Sequence, residues 1–155
     1  ISEKALGPDH PGVARILNSV APDFGAKYRF LAERGLLDIE TRKGKMQGGY
    51  QSPLPESRLP FILSNGSGRD QDIVVLCHEM GHAMHTLLCR DEPLLEYRAP
   101  PIEFAEVASI GMEFMAHEHL DEIYTGENLR SAREKRLERT LGTFLAVAKV
   151  DRFQR

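Results

Sequence analysis

A chain of 155 residues with 41% hydrophobic side chains can bury one core, which fits a single domain or part of a larger one. Its net charge of -3 arises from 20 basic and 23 acidic residues spread along the sequence, so no basic field is available to hold a polyanion and nucleic acid is excluded as a partner. No apolar run nears the roughly 20 residues needed to cross a bilayer, and the opening ISEKALGPDHPG lacks the apolar stretch of a signal peptide, which argues against membrane insertion and secretion.

In chain order, residues 1–40 read as helical. Phe24, Tyr28 and Leu31 recur at helical spacing, and Gly35 suits a helix C-terminus followed by a turn. Residues 41–70 change character: proline and glycine punctuate KGKMQGGYQSPLPESRLPFILSNGSGRD around the short apolar run PFIL, which predicts loops with one or two short strands. Residues 71–90 form a helix of about five turns, with Asp70 and Asp72 at its positive end. Cys77 and Cys89 lie on that helix about 18 Å apart, too far for a disulfide, so a reducing, cytoplasmic location is expected. Cys77 itself reads as a small buried filler.

A second long helix spans 101–120 and a third 129–155. The fold class expected is mainly α with a small β element. The opening on Ile1 and the close on FQR within a helix read as cut ends, so 1–155 is expected to be one domain taken from something longer.

The segment CHEMGHAMH concentrates three histidines and a glutamate. His78 and His82, four apart on a helix, differ in direction by about 40° and can aim two nitrogens at one ion. Glu79 points about 100° from His78, close enough to touch a metal-bound water without ligating. This is why HExxH on a helix signals a zinc hydrolase, in which the carboxylate takes a proton from the water.

A catalytic zinc needs a third protein ligand. His85 lies on the same face, but three ligands along one helix are nearly collinear, and a packing or rim role suits it better. The other source is the helix PPIEFAEVASIGMEFMAHEH. There Glu103, Glu106, Glu113 and His117 fall within about 80° of one another, beside a separate apolar arc of Phe104, Val107, Ala108, Met112 and Met115 expected to face the core. Apart from histidine, no basic side chain lies between Pro100 and Asp121, so a cation near these acids would relieve their burial.

The pieces KGKMQGGY, PFILSN, HEMGHAMH and FAEVASIGME together resemble the zinc oligopeptidases of the thimet oligopeptidase and oligoendopeptidase F group, with the nearest likeness to the oligoendopeptidase F branch. The likeness is densest from Gly44 to Glu113 and extends more weakly to both sides. It implies a gluzincin-type zincin core, with the HExxH helix packed on a second, glutamate-bearing helix. Carried onto this sequence, it implies one Zn²⁺ per chain held by His78, His82 and Glu106, with Glu79 as the catalytic acid/base.

It further implies that Glu113 orients a ligand histidine, although a salt bridge pairing two helices is an equal reading, and that His85 stays off the metal. Members of the group are several times longer, so the residues that stabilise the oxyanion are expected outside this chain. The activity implied is hydrolysis of internal peptide bonds in oligopeptides, with Leu63, Ser64 and Asn65 offering a strand edge to an extended substrate. Two other readings stay open: a zinc-binding helical module without catalysis, and a metal-free helical interaction domain.

Overall fold

The computed structural model describes residues 11–154, so the opening ISEKALGPDH and Arg155 lie outside the described residues. Two short helices, α1 (Pro11–Val20) and α2 (Pro22–Glu33), lead into strand β1 (Leu37–Glu40). Strands β2 (Tyr50–Leu54) and β3 (Leu59–Gly66) follow, then α3 (Asp70–Cys89), α4 (Ile102–His117) and α5 (Gly126–Gln154). Single 3₁₀ turns at Leu95–Arg98 and Leu120–Glu122 join the last three helices. The expected class holds: helices dominate, with one three-stranded sheet.

Why these residues form these elements is largely local. Tyr28 and Leu31 of α2 are buried one helical turn apart, and Gly35, at φ 65°, adopts the left-handed turn that releases the chain into β1. The expectation that residues up to 40 are helical fails at β1. Leu37 and Ile39 alternate inward with Asp38 and Glu40 outward, a period of two that pairs parallel to β3. At the start of α3, the Asp72 carboxylate accepts from the backbone N–H groups of Ser67 and Arg69 at 2.7 and 2.8 Å, satisfying donors the helix leaves orphaned.

The sheet order is β1-β3-β2, with β1 parallel and β2 antiparallel to β3. Strand β3 is therefore central. Leu63 is paired on both sides, with Asp38 and Tyr50, but the register with β2 ends there, so Ser64 and Asn65 lie beyond it and the edge expected of this stretch is left to those two residues. Asn65 has a further task. Its amide donates to the carbonyls of Met46 and Gly48 at 2.8 and 2.7 Å, tethering the glycine loop that delivers β2.

The core collects Val13, Ile16 and Leu17 of α1, Ile62 of β3, and Leu76, Met80 and Ala83 of α3, each essentially sealed from water. Each larger apolar side chain among them stabilises the fold by roughly 2 kcal/mol. Helix α4 packs along α3 through Ser109, Met112 and Ala116. The apolar arc expected to face the core does not do so: of its members Met112 is buried, while Phe104, Val107 and Met115 stand 67%, 65% and 45% exposed. Small residues set this geometry. A methyl group placed at Gly81 would lie 2.5 Å from the Ala108 carbonyl oxygen and 2.5 Å from Ser109 Cα, so the two helix backbones touch there.

Among the described residues, no helix is long and apolar enough to cross a membrane.

Candidate metal centre

Helix α3 carries His78, Glu79 and His82, and the close approach at Gly81 brings Glu106 of α4 over them. His78 Nε2 lies 3.4 Å from Glu106 Oε2, and His82 Nε2 lies 3.8 Å from Glu106 Oε1. The two imidazole rings stand nearly perpendicular, with centroids 5.0 Å apart. One ligand atom from each of His78, His82 and Glu106 falls within 4.8 Å of the other two.

These donors suit a zinc ion. Zn–N and Zn–O bonds near 2.1 Å in tetrahedral array separate neighbouring ligand atoms by about 3.4 Å, close to the spacing found. Two imidazole nitrogens and a carboxylate are a borderline-soft set that hard ions such as Mg²⁺ do not favour. The Glu106 carboxylate, 45% exposed, lies at the open side of the trio, where a water or substrate can reach. Ser109 Oγ donates to Glu106 Oε2 at 2.9 Å and fixes its rotation.

His78 is oriented from behind. Glu113 Oε1 lies 2.7 Å from His78 Nδ1, so that nitrogen donates to the carboxylate and Nε2 faces Glu106. The other carboxylate oxygen of Glu113 accepts from Arg136 Nη1 of α5. Both readings of Glu113 weighed from sequence are thus present at once: it contacts a candidate ligand histidine and pairs two helices. Burial on its own would raise its pKa, but the His78 hydrogen bond and the Arg136 charge outweigh that and lower it. The same hydrogen bond raises His78, against the opposing effect of burial. Burial lowers His82, and the His78 charge adds to this.

Glu79 is 6% exposed and its pKa is raised, chiefly by burial; the main chain of Gln51 in β2 donates to it and acts in the opposite direction. It sits under Gly49, where a Cβ would come within 3.5 Å of Glu79 Oε1. A cleft of about 570 Å³ runs past His78 and Glu79, walled by Gly49, Ile110, Phe114 and Phe144.

Other residues considered from sequence fall elsewhere. His85 Nε2 faces Cys89 Sγ at 3.5 Å and is not among the converging ligand atoms. Glu103 is exposed on the first turn of α4. His117 is half-buried, its pKa lowered by burial. Cys77 is sealed in the core with its thiol pushed up to about 12 by burial, the state of a filler and not a thiolate.

Three contributors escaped the sequence reading: Gly81, the main-chain N–H of Gln51, and Arg136. Gly81 carried a signal, since a glycine within a long helix costs about 1 kcal/mol relative to alanine and invites a packing explanation.

Comparison with known proteins adds lineage to this geometry. Oligoendopeptidase F, chromosomal, of Lactococcus lactis subsp. cremoris is 30% identical over 105 residues, 68% of this chain and 17% of that protein. Oligopeptidase PepF of Bacillus subtilis (strain 168) is 32% identical over 109 residues, 68% of this chain and 16% of that one. The chain therefore spans about a sixth of the length of the curated relatives it matches. A solved structure of PZ peptidase A with an inhibitor superposes with a TM-score of 0.76 at 31% identity, covering 82% of this chain and 22% of that one. The profile of peptidase family M3 matches residues 25–154, a span that takes in both histidines, Glu79, Glu106, Glu113 and Arg136, and the chain belongs to that family.

Proposed function

We propose that this chain is the zinc-binding part of a metalloendopeptidase that hydrolyses internal peptide bonds of oligopeptides, with His78, His82 and Glu106 as ligands and Glu79 as acid/base. The convergence of three ligand atoms within 4.8 Å, supplied by two helices locked together at Gly81, carries this reading. When bound, the ion would supply a Lewis acid and a water acidified toward a pKa of about 7.

The chain's own residues perform the rest. Glu79, kept from bulk water and fixed by the Gln51 main chain, accepts the proton of the attacking water on its carboxylate and returns it to the leaving amine. Its raised pKa favours the first of these transfers, the uptake of the proton from water. Glu113 holds the His78 proton at Nδ1 so that Nε2 stays available. The β2 edge beside Gln51 offers main-chain groups to an extended peptide lying across the cleft.

The relatives' names, oligoendopeptidase F and oligopeptidase, support oligopeptides as the substrate class. Residues 1–155 are read as one domain of a longer catalytic unit, with oxyanion donors supplied from elsewhere in it. The two free cysteines suit a cytoplasmic setting.

The deciding experiment combines metal analysis with cleavage of an internally quenched oligopeptide. One zinc per chain is expected, lost in His78→Ala. Glu79→Gln should keep the zinc and, in the full-length enzyme, lower the hydrolysis rate by at least about 10²-fold. A full hydrolysis rate in Glu79→Gln refutes the mechanism. Zinc binding without cleavage, even in the longest form of the protein, assigns a metal-binding module in place of an enzyme.

A further inference from the structure

Helix α5 is 29 residues long, and Arg136 is the single residue of it that is buried. Arg136 is 9% exposed, its guanidinium lies 4.3 Å over the Phe114 ring, and its Nη1 donates to Glu113 Oε2. The opposite oxygen of the same carboxylate meets His78 Nδ1 at 2.7 Å. One carboxylate thus bridges α5 to the histidine of α3, its two oxygens divided between a fixed cation and an imidazole.

We propose that Arg136 is a positioning residue for the metal centre: it clamps Glu113 in the rotamer that orients His78 and thereby couples the docking of α5 to metal affinity. The proposal rests on the zinc reading of His78, His82 and Glu106. A carboxylate held by one histidine alone can swing about its terminal torsion, which is broad and roughly two-fold. Held at both oxygens it cannot. A guanidinium suits this task because its planar fork and its stacking on Phe114 set the direction of the donated hydrogen, which a lysine ammonium on a flexible stem does not.

The arrangement is also poorly suited to stability alone. Arg136 Nε is buried without a partner, a cost that an apolar residue at this position would avoid. A further tie of α5, Lys135 to Asp70 of α3 at 3.1 Å, lies near the surface and reaches no candidate ligand. Phe144 of α5 lines the cleft, whereas Arg136 holds the carboxylate that meets His78.

The test is a double-variant cycle read by zinc affinity. Zn²⁺ dissociation constants are measured by chelator competition for the full chain and for Arg136→Met, Arg136→Lys, Glu113→Gln and the Glu113→Gln/Arg136→Met pair, with metal-free melting temperatures recorded for each. Arg136→Met should weaken zinc binding about 10- to 100-fold, the range typical of groups that orient ligands, and Arg136→Lys should recover part of the loss.

In the Glu113→Gln background, Arg136→Met should change affinity less than about twofold, because the group it positions is already disabled. Unchanged affinity in Arg136→Met overturns the proposal. So does an equal loss in both backgrounds that tracks the melting temperature, which would make Arg136 a structural anchor only. Should Arg136→Met fail to fold, Arg136→Lys and the double variant, in which no carboxylate is left unpaired, carry the comparison. Absence of stoichiometric zinc in the parent chain would instead refute the metal reading, a distinct result.

Discussion

Gly81→Ala tests how the second helix delivers its candidate ligand, Glu106. The added methyl would stand 2.5 Å from Ala108 O and 2.5 Å from Ser109 Cα, both backbone atoms that cannot rotate aside. Restoring ordinary contact requires α4 to retreat by about 1 Å. Overpacking of this kind costs about 1–3 kcal/mol, while the better helix propensity of alanine returns about 1 kcal/mol. The net is a loss of up to about 2 kcal/mol, or a melting temperature lower by up to about 8 °C in a domain of this size.

The larger consequence is chemical. Glu106 rides on α4, so the same retreat widens its 3.4 and 3.8 Å separations from His78 and His82 beyond the edge of a zinc tetrahedron. Zinc affinity should fall at least tenfold, by about 1.4 kcal/mol or more. Thermal melting and chelator titration on the parent and variant measure both effects. If Gly81→Ala melts about 2–4 °C higher and binds zinc as tightly as the parent, helix propensity acts without opposition, the backbones do not touch, and the reasoning fails.

Further outcomes follow from the same contacts. Ser109→Ala removes the hydroxyl that donates to Glu106 Oε2 at 2.9 Å, and zinc affinity should drop roughly fivefold, about 1 kcal/mol, with little change in melting temperature. His85→Ala should leave zinc affinity within about twofold, since its imidazole meets Cys89 and no candidate ligand; a loss comparable with that of His82→Ala would place it on the metal. The Asp38 carboxyl, hydrogen-bonded by Arg42 and further by Lys45, is lowered to about 2. A depressed carboxylate stabilises the fold above its unfolded value and loses that contribution as the pH falls toward 2. Asp38→Asn should therefore cost about 1 kcal/mol near pH 6, a figure discounted for solvent screening, and the difference from the parent, followed by urea unfolding, should shrink as the pH falls toward the folded value and vanish below it.

The parts of this site legible in the sequence are those set by one helix. His78, Glu79 and His82 are fixed relative to one another by 3.6 residues per turn, and the spacing of residue types states the geometry before any packing is known. Glu106 and Glu113 were legible as occupants of one stripe, because periodicity orders residues around an axis. It does not say which side of that axis meets a neighbour. The apolar arc of α4 looked like the buried side, yet α4 meets α3 along Ser109, Met112 and Ala116, with Gly81 opposite. Closeness decided the contact: a glycine facing a serine lets two backbones touch, and only at that range does Glu106 reach the histidines. Amphipathicity ranks faces by transfer free energy, whereas a ligand set is selected by distance.

The same distinction explains Arg136 and β1. Arg136 sits in a run of basic and acidic side chains, SAREKRLERT, where nothing local separates the one buried cation from its exposed neighbours. Its partner Glu113 is 23 residues earlier, on a different helix. The absence of lysine and arginine from Pro100 to Asp121 did carry part of the message, for it required any counter-charge to arrive from another element. Strand β1 offers only the four residues LDIE, too short for a period of two to outweigh the helix before it, and it becomes a strand because Ile62 and Leu63 of β3 are there to pair with it. Local periodicity thus placed the groups proposed to meet a proton or a metal, while the residues that hold them still are defined by pairings between elements, which a single sequence does not contain.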